Sequence, residues 1–358
     1  MRLLLVLLAL TAARVTPVAR AQANEPGSPT SAGQGPGQGS HTTPDKPAGR
    51  LGDPVLDNSD FKIALPVHAG RLEWHAENYK PVELSAKPQG EEIGIRATKA
   101  SGKRTFLGIL FLVPEEAPLT SAKCRDGSLE EDRGSVASFT QVASVEMPRA
   151  KGPALDLVTY KVANKVGKTT YIVRGFVAAG ELCGDLEIYS DDAIDAKDPE
   201  IAKTFASLQL DPAHAPSETD IAFYAQILFQ HQSFSAAAPL FEKALAKVPA
   251  GDANRDTRRV LTDQTGMAYG IAGNLPKSRA MFTAAIAKDP DYPLYYYNLA
   301  CADAAEKKLA DAKTHLEQAF ARKANMIKGE EMPDPSKDDS FTPYKGDKDF
   351  WAFVTSLR

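Results

Sequence analysis

Residues 218–324 spell one helical pattern three times, and a chain with such a repeat has few folds open to it. The first copy carries Tyr224, Ala225, Leu228, Ala237, Phe241, Ala244 and Pro249. The second carries Gly266, Tyr269, Ser278, Phe282, Ala285 and Pro290, and the third Leu299, Ala300, Ala312, Leu316 and Ala319. Small residues let two helices touch, an aromatic or leucine side chain wedges between them, and the proline closing the first two copies breaks the helix. Copies one and two are offset by 41 residues, copies two and three by 34. The surplus falls in residues 250–255, a polar stretch expected to lengthen the turn or the following helix while leaving the helix contacts intact.

These positions resemble a tetratricopeptide (TPR) unit, whose period is about 34 residues. The resemblance implies three repeats over residues 216–325, forming an all-α solenoid that binds partners rather than transforming substrates. In that family the inner face of each first helix lines a groove for an extended or helical peptide. Carried over by repeat position, the groove would hold Thr219, Ala222, Gln226, Phe229 and Gln230 from the first copy. Asp263, Met267 and Ile271 would follow from the second, and Leu294, Tyr297 and Cys301 from the third. The set contains no basic cluster, so the lysine and arginine clamp for a C-terminal carboxylate is missing. The alternative is a groove filled by the protein's own tail or by its N-terminal domain, because three repeats make a short solenoid whose apolar face would otherwise stay exposed. Residues 326–346 contain Gly329, Pro333, Pro335 and many charges and read as an extended loop. Residues 347–358 place Phe350, Trp351 and Val354 on one helical face, a candidate cap for the solenoid. Asp347-Lys348-Asp349-Phe350 resembles the final helix of many bacterial TPR proteins.

At the other end, residues 1–21 read as a secretory signal: Arg2, an apolar run over residues 3–13, then the small-residue site Ala19-Arg20-Ala21. A second such site, Ala21-Gln22-Ala23, shifts the expected cut by two residues. The run is too short to span a bilayer, which favours cleavage over an uncleaved anchor. The expectation is a periplasmic or secreted protein with no transmembrane segment in the mature chain. Residues 22–52, rich in Gly, Pro, Ser and Gln, read as a disordered tether. Loss of Arg2, Arg14 and Arg20 would leave 39 basic against 46 acidic residues, a net charge of -7. A mildly acidic surface argues against a nucleic-acid partner, which needs a basic stripe.

Over residues 53–212 the dominant period is two. Seven apolar segments lie at 82–86, 93–98, 106–113, 139–145, 155–162, 171–178 and 183–189, separated by turn signals. Their spacing suits antiparallel pairing. Short helices are expected over residues 121–131 and from Asp198 as N-cap and Pro199 as first residue to Leu208. The fold class read here is an α+β domain, one antiparallel sheet with short helices packed on it. The order of elements, with the strand from Cys183 to Ile188 followed by an acidic loop and a final helix, resembles the PsbP-like superfamily. Cys124 and Cys183 fall in this domain, Cys301 in a repeat helix. An exported chain makes a Cys124–Cys183 disulfide the expectation, with two buried thiols as the alternative.

Chemistry-bearing motifs are sparse. Asp185, Glu187, Asp191, Asp192, Asp195 and Asp198 offer oxygen ligands for calcium, but lack the glycine and final glutamate of an EF-hand loop, so a solvated loop and helix cap is favoured. Tyr292, Tyr295, Tyr296 and Tyr297 point in different directions on a helix, which favours packing over a stacking platform. The histidines show no zinc spacing, and no nucleophile elbow or phosphate-binding loop occurs. No catalytic residue, metal or cofactor is assigned. Two readings remain: an adaptor that binds a protein or peptide, or a ligand-binding or enzymatic α+β domain localised by the repeats.

Overall fold

The computed structural model describes residues 60–86, 92–116, 119–149, 152–164 and 166–357. The signal and tether expectations lie outside the described residues. The chain divides after Pro216 into a sheet unit and a helical unit.

In the sheet unit, all seven apolar segments become strands of one antiparallel sheet. They are β3 (Lys80–Ala86), β4 (Ile93–Ser101), β5 (Arg104–Pro114), β6 (Ser138–Met147), β7 (Leu155–Ala163), β8 (Thr169–Ala179) and β9 (Leu182–Ser190), in the order β3-β4-β5-β9-β8-β7-β6. A second sheet stands where a single one was expected. β1 (Asp60–Ala64), β2 (Arg71–His75) and β10 (Gln209–Asp211) pair in the order β1-β2-β10. These strands have five, five and three residues, too few for a period of two to stand out, and β10 finds its partner far back in the chain.

Both faces of the large sheet are covered, which is why β8 and β9 are buried nearly throughout instead of alternating. On one face lies α1 (Ser121–Ser135), one turn longer than expected, N-capped by Thr120 and burying Cys124, Ser128, Leu129 and Asp132 along one side. Cys124 and Cys183 form a disulfide that ties α1 to β9, with Cα atoms 5.9 Å apart. On the other face Trp74 of β2 lies over Gly108, Leu72 over Gly184, and Phe205 of α2 (Pro199–Ala206) over Gly175. Asp198 caps α2 by accepting from Glu200 N at 3.0 Å.

The helical unit opens with a capping box, Ser217 and Asp220 each accepting from the other's backbone N–H. Six helices follow as three hairpins: α3 (Glu218–Gln230) with α4 (Phe234–Lys247), α5 (Arg255–Ile271) with α6 (Leu275–Lys288), and α7 (Pro293–Ala305) with α8 (Leu309–Ala321). Each three-residue turn is built alike. Gln232, Gly273 and Lys307 occupy the left-handed region at φ 61°, 87° and 60°. The next residue's N–H reaches back to a carbonyl in the helix, Ser233 to Leu228, Asn274 to Tyr269 and Lys308 to Asp303. That is the Schellman closure, and it recurs at the sequence offsets of 41 and 34.

Within each hairpin the wedge follows a buried small residue by sixteen positions: Phe241 after Ala225, Phe282 after Gly266, and Leu316 after Ala300. All three wedges are fully buried. A Cβ on Gly266 would overlap the Phe282 ring, so only glycine fits there. The extra residues of copy two form a 3-10 turn, Asp252–Asn254, and the first turn of α5. That addition carries Arg255, Arg258 and Arg259. Arg258 holds the carbonyls of Pro249 and Gly251, while Arg255 and Arg259 both clamp Asp289 at the end of α6.

Residues 326–346 are folded rather than extended. Two 3-10 turns, Pro335–Lys337 and Asp339–Tyr344, bury Phe341 and Tyr344 against α7 and α8. α9 (Lys348–Ser356) follows, N-capped by Asp347, and adds Phe350 and Val354 to the same cluster.

Candidate functional site

The inner face assigned by repeat position divides into two parts. At its third-repeat end, Leu294, Tyr297 and Cys301 on α7 all lie against the tail. Leu294 packs in a cluster with Met326, Ile327 and Met332. The Tyr297 hydroxyl donates to Asp338 Oδ2 at 2.9 Å, and its ring meets Phe341 edge-on. The Cys301 thiol faces the same carboxylate oxygen at 3.8 Å. Burial first, then the Asp338 carboxylate, pushes that thiol up from its ordinary range. Of the two sequence alternatives for this end, partner or own tail, the tail is what lies there.

The first two repeats present a different surface. Ala222 is fully buried and Asp263 nearly so. Thr219, Gln226, Phe229, Met267 and Ile271 are half-buried, and Gln230 is exposed. Phe229 is committed inside its own hairpin, edge-on to Phe234 and Phe241 at 5.0 and 6.2 Å. It therefore supports the fold more than it offers an anchor. Gln264 donates to Gln226 at 2.8 Å, tying α5 to α3.

Asp263 is the buried acid of this face. It accepts from Asn298 Nδ2 at 2.6 Å, a bond from α7 that ties the second hairpin to the third. Burial and then the Glu330 carboxylate of the tail push its carboxyl well above the usual range, while the Asn298 bond pulls the other way. Glu330 itself accepts from the Tyr292 hydroxyl at 3.0 Å. The upward shift favours the neutral form of Asp263 beside the Glu330 carboxylate. Between the end of α8 and the tail, a cleft of about 530 Å³ is lined by Phe320, Lys323, Met326, Glu331 and Met332 among others.

The three tyrosines of α7 and the one at its N-cap are seam and core residues. Tyr292, Tyr295, Tyr296 and Tyr297 are all buried, and Tyr296 donates to Pro290 O at 2.9 Å. The acidic run is split among unrelated tasks. Asp191 pairs with Lys168, Asp195 and Asp198 cap backbone N–H groups, and Asp185 and Glu187 turn into the core. Asp303, also fully buried, is held between Arg279 at 2.7 Å and His315.

In the sheet unit the converging polar groups centre on Arg174, a residue the sequence reading passed over. Arg174 on β8 contacts Asp132 of α1 at 3.0 Å and Asp185 and Glu187 of β9 at 2.7 and 2.8 Å. Tyr160 on β7 donates to Asp132 at 2.8 Å. Burial opposes the arginine's charge, but Asp185, Glu187 and Asp132 outweigh it and hold the guanidinium firmly protonated. Burial, then Asp132 and Glu187, raises the Tyr160 phenol well above its ordinary value. Arg174 and Glu187 are each 1% exposed, so the cluster is sealed from solvent and from any substrate. Its signal was present in the sequence: one arginine in a strand with no other charge, opposite acids two residues apart on the next strand, with Arg174 and Glu187 in register.

No family model matches the chain, and no curated protein matches it. Among solved structures it is similar to the TPR domain of Sgt2 from Aspergillus fumigatus, at 16% identity and a TM-score of 0.29, over 40% of this chain and 83% of that one. It is also similar to a chain from Bacteroides thetaiotaomicron VPI-5482, at 9% identity and a TM-score of 0.29, over 64% of this chain and 78% of that one. Among the described residues no helix is long and apolar enough to cross a membrane.

Proposed function

We propose that this chain is an exported, non-catalytic TPR scaffold of the cell envelope that holds a protein or peptide on the inner face of its first two repeats. Its PsbP-like α+β unit is then a companion module, and the third repeat is closed by the tail. The observation that carries the reading is the division of the inner face. Leu294, Tyr297 and Cys301 are satisfied within the chain, whereas Thr219, Gln226, Gln230, Met267 and Ile271 keep exposed surface of mixed apolar and amide character. Such a surface suits a helical or extended segment that buries an apolar side chain against Met267 and Ile271 and hydrogen-bonds through the glutamines. The Cys124–Cys183 disulfide supports export, because such bonds persist in oxidising compartments.

A photo-crosslinking side chain at Gln230, exposed and outside the hairpin core, tests the reading in cells. The expected product is an adduct with one envelope protein, lost when Met267→Glu and Ile271→Glu are combined. Adducts confined to the chain itself, or capture that survives the double substitution, would sink it. The alternative, a catalytic or ligand-binding sheet unit, has its converging polar groups at Arg174 and is disfavoured by their closure.

A further inference from the structure

The two edges of the large sheet are guarded very differently. β3 begins with Lys80 and Pro81 and shifts register between Pro81 and Glu83. Both edge strands carry a register shift, so the difference lies in charge and proline, two of the usual means of keeping a sheet edge from pairing. β6 at the opposite edge runs for ten residues, and residues 138–145, Ser-Phe-Thr-Gln-Val-Ala-Ser-Val, carry no charge and no proline. Among the described residues β6 pairs with β7 and with no strand on its other side. A register shift between Gln141 and Ala143 turns Val142 outward, leaving it 62% exposed. The edge is also held in place. Phe139 stacks on Tyr160 at 4.8 Å, and Arg133 of α1 lies over the Phe139 ring and donates to Gln141.

We infer that β6 is where two copies of this chain pair, antiparallel about a twofold axis, joining their large sheets into one. A strand that meets its own copy brings each residue opposite another of the same strand, so a charge near the axis would face its like. Residues 138–145 contain none, and a pairing centred between Gln141 and Val142 sets Glu146 opposite Ala137. The outward Val142 side chains then lie close to the axis and cover each other. The chain's own residues 22–52 are poor candidates for this edge, because Pro26, Pro29, Pro36, Pro44 and Pro47 remove ladder donors. Growth stops at two copies, since each β3 edge is guarded and the β6 contact is self-complementary and closed.

Sedimentation and light scattering on the mature chain test this. The wild type is expected to form a discrete dimer. Val142→Lys and, separately, Thr140→Lys put like charges beside the axis and should each weaken self-association about tenfold or more while leaving the fold unchanged by circular dichroism. Val142→Cys should give a dimer that is disulfide-linked under oxidation. A wild type that stays monomeric at its highest soluble concentration, open-ended assemblies, or lysine variants that dimerise like the wild type would each overturn the proposal.

Discussion

The sheet unit and the helical unit bury charge in opposite ways. The sheet unit gathers most of it around Arg174, where side chains from α1, β7, β8 and β9 converge between the sheet and its covering helix, with Asp156 on Arg125 standing apart. The helical unit spreads its polar ties along the seams, with Asp263 on Asn298 and Asp303 on Arg279 buried, Gln226 on Gln264 half-buried, and Glu242 on Lys277 and Tyr269 near the surface. In the first, a helix and three consecutive strands depend on one centre, and a disulfide spanning 59 residues reinforces the same helix. In the second, each tie joins a hairpin to its neighbour, and its loss is felt locally. One unit should fail as a whole, the other piece by piece.

The largest expected effect tests that contrast directly. Arg174→Met leaves Asp132, Asp185 and Glu187 without their cation in a sealed core, a loss of up to about 5 kcal/mol. Hydrogen exchange should show protection lost across the sheet unit and retained in α3 to α8; simultaneous loss in both units would break the comparison. Next, Cys124→Ala with Cys183→Ala removes a cross-link worth about 4 kcal/mol on the chain-entropy model. The denaturant midpoint of the sheet unit should fall, with the helical transition unmoved. A smaller cost, about 1–3 kcal/mol, is expected for Gly266→Ala, which forces a methyl into the Phe282 ring. Faster exchange confined to the second hairpin and its neighbours would match piecewise failure, and uniform loss would contradict it.

The smallest effect has the opposite sign at neutral pH. The Asp263 carboxyl is raised in the folded state, so its contribution is fully present below about pH 4, the unfolded value. It is lost as pH rises through the folded value. Asp263→Asn keeps an acceptor for Asn298 and carries no charge toward Glu330. The variant should match the wild type in acid and exceed it by about 1 kcal/mol at pH 7. Thermal melts of both proteins between acid and neutral pH check this, and parallel curves would remove Asp263 from the account.

The helical unit was legible because its determinants are local. A wedge sixteen residues after a small residue, and a turn three residues long, are visible in any window of that size. The strands of the large sheet were legible for the same reason. The small sheet was hidden because β10 is Gln-Leu-Asp, a sequence with no strand signature until β2 is placed beside it. The tail was hidden too: Glu330, Asp338 and Phe341 follow no period, and their partners Tyr292, Tyr297 and Cys301 sit about forty residues earlier. Repeat position placed the inner face, but whether Leu294 is open or covered depends on Met326 and Met332, which belong to no repeat.

That cover has a consequence for how the protein is made. Phe341, Phe350 and Val354 are synthesised after the hairpin whose wall they close. Until they arrive, α7 and α8 stand with their aromatic face in water, and the repeats made earlier cannot supply the missing side. A chain shortened before Phe341 would leave the α7 and α8 side of this cluster in water, so it should behave as an unfinished core rather than as a shortened scaffold.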